Sequence, residues 1–380
     1  MEFALSKPQE LLRESARAFF TRTCPPARVR ELMSGETAFD ADLWRHIAEQ
    51  GWIGLHLPEA CGGLGLSLVE LTVVAEEMGR ACLPGPWLAA LWAATLLEHA
   101  DGQVSWNSYL ELLLRGEQKG TVALLEPDSG WRLESVQLRV EDANDGFRLT
   151  GVKTLVHDAA LADVILCAGR HDSGLMILPV RPAAPGVAIT ALHSLDETRK
   201  LYDVALNDVI VPKTEVIAAG ERANPSLAHS LCVATVAICA ELVGVMQRVM
   251  EMTVEYAKTR QQFGRAIGAF QAVQHQCADM LLLTESARSA TYFAAWALAE
   301  NLPDAPRSLS MAKAYCSDAA RDVCQRGVQV HGGIGFTWEH DLHLYLKRAK
   351  ANEVLFGDAT HHREQIARLV LDEATSPRRQ

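Results

Sequence analysis

The sequence predicts an α+β fold in which a helical region, a strand-rich region and a second helical region follow one another. Three observations predict it. Apolar residues recur at helical spacing up to about residue 118, short apolar runs separated by turn residues fill 119–215, and helical spacing returns over 216–380. Because helices and strands are segregated along the chain, alternating βαβ units are disfavoured. We therefore expect three domains, at 1–118, 119–215 and 216–380.

The N-terminal region reads as helices with one glycine-rich interruption. Ser6 is placed to cap a helix that runs to Phe20, and residues 43–50 and 68–78 have the spacing of two further helices. Between those two, residues 57–65 (LPEACGGLG) contain too many helix breakers to continue either neighbour. We expect a turn there.

The middle region contains short apolar or alternating runs bounded by Gly, Pro, Asn and Asp, which are typical of strands. They lie at 121–125, 147–150, 164–167, 175–178, 186–190 and 202–206. This pattern predicts a small antiparallel β domain. After Pro212 a helical stripe returns, and it predicts one long helix from near Asn224 to Arg260, with further helices to the end.

Composition excludes several classes of protein. The net charge of -11 over 380 residues is spread along the chain, so no basic surface is offered to nucleic acid or to an anionic membrane. The N-terminus lacks the pattern of a secretory signal, and we expect no stretch that approaches the roughly 20 apolar residues of a membrane span. We therefore expect a cytoplasmic protein. The nine cysteines are scattered with no CxxC pair, so we expect neither a disulfide framework nor a metal site.

Three segments carry a resemblance. They are residues 51–65 (GWIGLHLPEACGGLG), residues 256–271 (YAKTRQQFGRAIGAFQ) followed by Ala278-Asp279-Met280, and residues 329–339 (QVHGGIGFTWE). In sequence, order and spacing these segments resemble the acyl-CoA dehydrogenase superfamily over nearly the whole chain. The resemblance implies the fold of that family, with an N-terminal helical domain, a middle β domain and a C-terminal four-helix bundle.

The resemblance also implies a cofactor, FAD, and residues that bind it. In the family, the second and third segments hold the adenosine and pyrophosphate half of an FAD whose flavin lies in the neighbouring subunit. By resemblance that role passes to Arg260, Gln262, Phe263, Gln271, Gln329, Gly332 and Gly333. Taken alone, Arg260 reads as a solvated charge at a helix end and the glycine pair as a turn. A cation beside paired glycines also suits a pyrophosphate, because amides can approach the anion closely.

The sequence departs from the family where a catalytic base is expected. The family removes a proton α to the thioester of an acyl-CoA, commonly with a Glu in a loop after the third segment, and Phe356 occupies that position here. The alternative position, ten residues before Gly244, is Ala234. Asp358 is the remaining candidate base, although its position equally suits an N-cap. Glu241, two turns from Ala234, reads most simply as structural.

The β region also differs from the family pattern, at positions that lie beside the flavin in the family. The chain has Asp128-Ser129-Gly130-Trp131 where the family usually has GAGSD, and Leu155 and His157 where a Trp and a Thr normally lie beside the flavin. His157 could donate to flavin N5, or it could be an ordinary surface or strand-end histidine.

Three hypotheses follow. In the first, the chain resembles the base-lacking subunit of the α2β2 acyl-CoA dehydrogenases of bacterial steroid catabolism and completes an FAD site with a partner. In the second, it is a self-sufficient homotetramer that uses Asp358, or conceivably Glu241, as base. In the third, it is a non-enzymatic acyl-CoA or protein-binding scaffold. The family implies electron-transfer flavoprotein as electron acceptor. The acyl group of the substrate is not readable from spacing.

Overall fold

The computed structural model describes residues 4–100 and 106–375, with side chains described to residue 371. Its helices, in chain order, are α1 (Lys7–Thr23), α2 (Pro26–Met33), α3 (Ala41–Glu49), α4 (Leu68–Arg80), α5 (Trp87–Leu97), α6 (Trp106–Leu114), α7 (Ala223–Thr259), α8 (Gln271–Ala299), α9 (Ala305–His331), α10 (Leu342–Val354) and α11 (Ala359–Thr375). The predicted α+β order of helices, strands and helices is confirmed.

The strands, in chain order, are β1 (Gly120–Ala123), β2 (Arg139–Ala143), β3 (Gly146–His157), β4 (Val164–His171), β5 (Gly174–Val180), β6 (Val187–Leu192), β7 (Leu201–Pro212), β8 (Ala218–Ala219), β9 (Gln261–Gln262) and β10 (Arg265–Ala266). The first eight form one sheet in the order β6-β7-β3-β2-β4-β5-β8, with β1 beside β4. β9 and β10 form a separate hairpin.

The chain divides into two compact units that interleave in sequence. Unit 1 comprises Met1–Arg28, Ser67–Leu83 and Thr235–Gln380, and unit 2 comprises Val29–Leu66 and Pro84–Ala234. The three sequence-based domain boundaries stay a prediction.

Unit 1 is helical. α4 packs against α1 and α8, and α9 packs against α8, α10 and α11. Glycines allow α4 and α7 to approach closely: a Cβ built on Gly244 would lie 1.8 Å from the Glu76 carbonyl oxygen, and one on Gly79 would lie 2.1 Å from the Glu241 carbonyl oxygen. Only glycine fits at either position, so this crossing fixes the part of α7 that carries Glu241.

The N-terminal expectations are confirmed in their essentials. Ser6 caps α1 with a reciprocal capping box to Gln9, because the hydroxyl and the amide side chain satisfy each other's backbone N–H groups. Ser67 caps α4 in the same way with Glu70. The glycine-rich segment separates α3 from α4, as predicted, and contains a short 3₁₀ turn at Glu59–Cys61.

Unit 2 contains the sheet, which is mostly antiparallel, as expected, but also contains parallel pairs. β1 and β2 both pair parallel to β4, whereas β2–β3, β3–β7, β4–β5, β5–β8 and β6–β7 are antiparallel. The connection from β1 to β4 is long enough for the crossover that parallel pairing needs. Alternating side chains of these strands, such as Leu149, Cys167, Leu178 and Val204, form a buried core.

Several elements were not individually predicted, and for two of them, α5 and β2, the structure gives a physical reason. α5 is apolar on every side and wholly buried, so it has no amphipathic period to detect. β2 is short and mostly charged, and only Val140 among its residues is buried.

One helix among the described residues meets the length and composition of a membrane span. Its range is Gly220–Thr259, with a mean hydropathy of 1.8 over its most apolar window. The expectation that no stretch approaches that length is therefore wrong. Because 83% of the window is buried inside the protein, the apolar composition is that of a core helix, and a single such helix is weak evidence of a span.

Candidate functional site

The first candidate residues lie on a tight hairpin at the end of α7. Gln262 pairs with Arg265 across the turn Phe263–Gly264, and both turn residues have positive φ, +52° and +78°. That combination defines a type I′ turn, in which Phe263 adopts a left-handed backbone conformation that is rare for a bulky residue. Phe263 is held 91% exposed at the tip. Arg260, just before the hairpin, is exposed and forms no ion pair among the described residues.

The beginning of α8 supplies a second feature. Gln271 is its first residue and is exposed, and the preceding Phe270 forms no side-chain cap. Helix α8 therefore presents unsatisfied N–H groups at its positive end, which favours an anion.

The end of α9 supplies a third feature. Gln329 is exposed on the last turn, and Gly332 ends the helix with φ +63° and ψ −138°, a conformation essentially restricted to glycine. Gly333 differs, because its φ is not positive and a Cβ built on it would meet no atom within 4 Å. Nothing in the described part of the chain requires glycine at 333, so close approach by a group from outside the chain is the simplest reason for it.

Two residues that sequence reasoning did not assign bring these features to one end of unit 1. The ring of Tyr256, one turn before Arg260, stacks on His331 at 4.4 Å, directly before Gly332. His331 is buried, its Nδ1 donates to the Gly327 carbonyl oxygen at 2.7 Å, and burial lowers its pKa, so it stays neutral. Arg326 in turn joins α9 to α8 through Asp279 at 2.8 Å.

We call the resulting set the exposed edge. Its members share exposure to solvent and belong to the three elements just described: Arg260, Gln262, Phe263, Gln271, Gln329, Gly332 and Gly333. An unpaired guanidinium, an uncapped helix start and adjacent glycines with open space fit the pyrophosphate of a dinucleotide. The donors are present, and within residues 4–100 and 106–375 no atom lies within 4 Å of a Cβ built on either glycine.

The base loop, residues 355–358, has the opposite character. Phe356 is 2% exposed with a left-handed backbone at φ +59°, and its carbonyl oxygen lies 3.0 Å from His362 Nε2. Burial, with the charge of Lys313 second, lowers the pKa of His362 to about 4, so a neutral imidazole donates from Nε2. Asp358 is exposed and its Oδ1 accepts the His361 N–H at 2.7 Å, which is the N-cap bond of α11.

Lys313 anchors this loop through hydrogen bonds from its buried ammonium group. Its side chain is fully buried, and its Nζ donates to the carbonyl oxygens of Glu353 at 3.0 Å and Gly357 at 2.8 Å and to Ser317 Oγ at 3.0 Å. Burial lowers the pKa of Lys313 to about 8. The lysine therefore satisfies carbonyls at the end of α10.

Glu241, the other acid considered, is engaged in a buried network. It is fully buried, accepts from Asn352 Nδ2 at 3.0 Å and lies 3.8 Å from Arg348 Nη1, whose Nη2 donates to the Leu83 carbonyl oxygen. This environment supports the structural interpretation made from sequence. Ala234 on the same helix is likewise fully buried and apolar.

In unit 2 the segment that replaces the family's GAGSD is organised by a buried ion pair that the sequence did not reveal. Lys153 Nζ donates to Glu126 Oε1 at 2.6 Å and to the Leu124 carbonyl oxygen at 2.9 Å. The Glu126 carboxylate also accepts the N–H groups of Gln137 and Leu138. Burial lowers the pKa of Lys153, and Glu126 opposes that shift.

The two residues expected beside a flavin lie on the same strand, β3. Leu155 sits at an irregularity of the strand with φ +52° and is 42% exposed, which is unusual for a leucine in a sheet. His157 ends the strand and is only 8% exposed, so the surface interpretation is wrong and the strand-end interpretation is confirmed. Its role toward a flavin stays a prediction.

Comparison with known families and proteins gives consistent results. Residues 6–117 match the description "Acyl-CoA dehydrogenase, N-terminal domain" and residues 227–371 match "Acyl-CoA dehydrogenase, C-terminal domain". The chain is similar to acyl-CoA dehydrogenase IpdE2 of Mycobacterium tuberculosis, with 31% identity covering 98% of this chain and 100% of the relative.

Two solved structures extend the comparison. A variant of the Tcur3481–Tcur3483 steroid ACAD is 29% identical with a TM-score of 0.86, covering 97% of this chain and 99% of that one. An FAD complex of PigA is 25% identical with a TM-score of 0.89, and it covers the same shares of the two chains, 97% and 99%.

Proposed function

Because this chain belongs to the acyl-CoA dehydrogenase family, we propose that it is a subunit that completes a shared FAD site while a partner chain supplies the catalytic base. The family makes it an FAD-dependent oxidoreductase that acts on the CH–CH bond of an acyl-CoA. Bound FAD supplies the hydride acceptor. This chain's residues supply binding and orientation.

One observation carries the proposal: the exposed edge is complete, whereas neither base position offers a carboxylate. Arg260 and the start of α8 are placed to neutralise a pyrophosphate, and Gln329 adds a neutral donor. Phe263 lies almost fully in solvent, which is costly unless a neighbouring chain covers it. A dinucleotide held between two chains accounts for all of these features.

Proton removal α to the thioester needs a base within hydrogen-bond reach of the substrate. Phe356 and Ala234 are apolar and buried, and Glu241 is committed to Asn352 and Arg348. Asp358 serves as the N-cap of α11. If a partner chain supplies the base, none of these residues has to give up its observed structural role.

The proposal extends to substrate, electron acceptor and location. The Tcur3481–Tcur3483 protein is described as a steroid ACAD, and by that analogy we infer a steroid-derived acyl-CoA as substrate. The electron acceptor is electron-transfer flavoprotein, and the chain acts in the cytoplasm as part of a tetramer. Turnover of a steroid acyl-CoA above that of straight-chain acyl-CoAs is the test of the substrate.

The decisive experiment compares the chain purified alone with the chain co-expressed with a second acyl-CoA dehydrogenase chain that carries the loop glutamate. Alone, it is expected to bind little FAD and to turn over no acyl-CoA. Together, the two chains are expected to give a four-chain particle with about one FAD per two chains. Visible absorption, native mass spectrometry and dye-linked turnover measure the three quantities.

A homotetramer of this chain with a full complement of FAD and acyl-CoA turnover of its own would overturn the proposal. The D358N variant would then show whether Asp358 acts as base. A chain without flavin in either preparation would leave the non-enzymatic scaffold as the better account.

A further inference from the structure

A cluster of metal-ligating side chains lies in unit 2 and includes none of the residues discussed above. Glu98 and His99 follow directly after α5, and His229 lies in the second turn of α7. Their ligand atoms, a carboxylate oxygen and one nitrogen of each imidazole, all lie within 4.8 Å of one another. The two imidazole rings meet edge to face with centroids 5.2 Å apart.

The distances fit a metal ion after a small closure. Zinc bonds of 2.0–2.2 Å in tetrahedral geometry separate the ligand atoms by roughly 3.3–3.6 Å. The atoms therefore need to close by at most about 1.5 Å, which rotation of side chains provides. His99 and His229 are exposed and Glu98 is intermediate, so these side chains have room to rotate.

The chemistry of the three groups suits a metal ion. Two imidazole nitrogens and one carboxylate oxygen are a ligand set that zinc binds in proteins.

The backbone that carries the cluster is fixed. Trp92 Nε1 of α5 donates to Ser230 Oγ of α7 at 3.2 Å, next to His229. Leu96, Leu97 and Leu227 are buried at the same ends of the two helices. The ligands therefore project from rigid elements, as a precise site requires.

A third histidine, His56, lies close enough to His229 for the charge of His229 to affect its pKa. His56 Nε2 lies 3.0 Å from Thr95 Oγ1, and that hydroxyl already donates to the Leu91 carbonyl oxygen, so His56 donates and presents Nδ1 as an acceptor. His56 Nδ1 is buried without a partner among the described residues. Burial, and then His229, lower the pKa of His56 to about 3, so it adds no positive charge that would repel a cation.

We propose that Glu98, His99 and His229 bind one divalent transition-metal ion of the zinc class and so clamp the end of α5 to the start of α7. Three protein ligands leave a coordination position for water. The site is independent of the FAD assignment, since it shares no residue with the exposed edge or the base loop.

The test is a zinc titration of untagged, chelator-treated protein against a chromophoric chelator, repeated with Co²⁺ to read the coordination from its visible spectrum. We expect saturable binding of about one ion per chain, and at least a tenfold loss of affinity in H99A, H229A and E98Q. H193A is the matched control, because His193 is an exposed histidine of the same unit with no part in the cluster. Zinc should also raise the melting temperature of the native protein and H193A, but not of H99A/H229A.

Equal zinc affinity in the native protein and in H99A/H229A would overturn the proposal, as would the absence of saturable binding. Because His99 and His229 are exposed, their replacement by alanine is expected to leave the metal-free melting temperature unchanged, and this measurement separates loss of a ligand from loss of the fold.

Discussion

The exposed edge and the base loop lie in the same helical unit. They differ in whether their residues find contacts among the described residues of this chain. At the edge, Arg260 has no ion pair among the described residues, Phe263 is 91% exposed, and Gly333 faces open space. At the loop, Phe356 is buried, its carbonyl is bound by His362, and Asp358 caps a helix.

The difference teaches how a shared site is recognised in one chain. Residues that serve something outside the chain are those that the chain leaves unsatisfied, whereas residues that serve the fold find their partners within it. By this criterion the edge is open to a group from outside the chain, and the loop is not.

The largest expected effect tests whether Glu241 belongs to the fold. Replacing Glu241 by alanine leaves Arg348 buried without its carboxylate, and should lower the free energy of unfolding by about 3–5 kcal/mol. Chemical denaturation measures the loss. E255A is the control, because Glu255 lies exposed on the same helix and its loss should cost no more than about 0.5 kcal/mol. A native-like stability of E241A would remove the structural assignment and reopen Glu241 as a base.

The next effect tests the edge. In the complex with its partner, R260A should weaken FAD binding by about 10- to 150-fold, because a charge-assisted hydrogen bond contributes about 1.5–3 kcal/mol. Quenching of flavin fluorescence measures the affinity. R265A is the matched control, since Arg265 lies on the same hairpin with its guanidinium on the ring of Phe270. Equal losses in both variants would mean that general charge, rather than Arg260, binds the cofactor.

The glycine pair separates stability from binding. G332A should destabilise the chain by about 1–3 kcal/mol, because the backbone at φ +63° is strained for any side chain. G333A should leave stability unchanged, because the space at 333 is open in this chain, and should weaken FAD binding or assembly if a bound group approaches this backbone closely. Thermal melts and FAD titrations of both variants give the two quantities. If G333A binds FAD as tightly as the native chain, nothing approaches this residue closely.

The smallest effect is expected at Asp358. D358N keeps a good N-cap while it removes the charge, so both the melting temperature and the turnover of the reconstituted complex should stay near native values. A fall in turnover of about 100-fold or more would identify Asp358 as the base. It would also show that the base loop, like the exposed edge, serves a group outside the chain.

Sequence alone predicted what depends on local pattern. Ser6 is placed as a helix cap, residues 68–78 have helical spacing, and the apolar stripe of α7 has helical period, so these elements were visible in the sequence. α5 was not, because a helix buried on all sides has no polar face. The parallel pairing of β1 with β4 depends on residues distant in sequence, and no local signal encodes it.

The site residues can also be separated into those that local motifs identified and those that only the fold brings together. Motif spacing singled out Arg260, Gln329 and the glycines, but not the stacking of Tyr256 on His331 that joins their elements, although both residues lie inside the motifs. Lys153 and Glu126 lie in different segments, and only the fold brings their charges together. Glu98 and His229 are likewise too far apart in sequence to suggest a metal.

The packing around Phe356 bears on what one substitution could restore at this position. The ring is 2% exposed and its backbone is left-handed, so a carboxylate placed there would lose most of its contact with water. F356E is therefore expected either to raise the pKa of the new acid or to disrupt the loop. A working base at 356 would need changes in the surrounding residues as well as in this one.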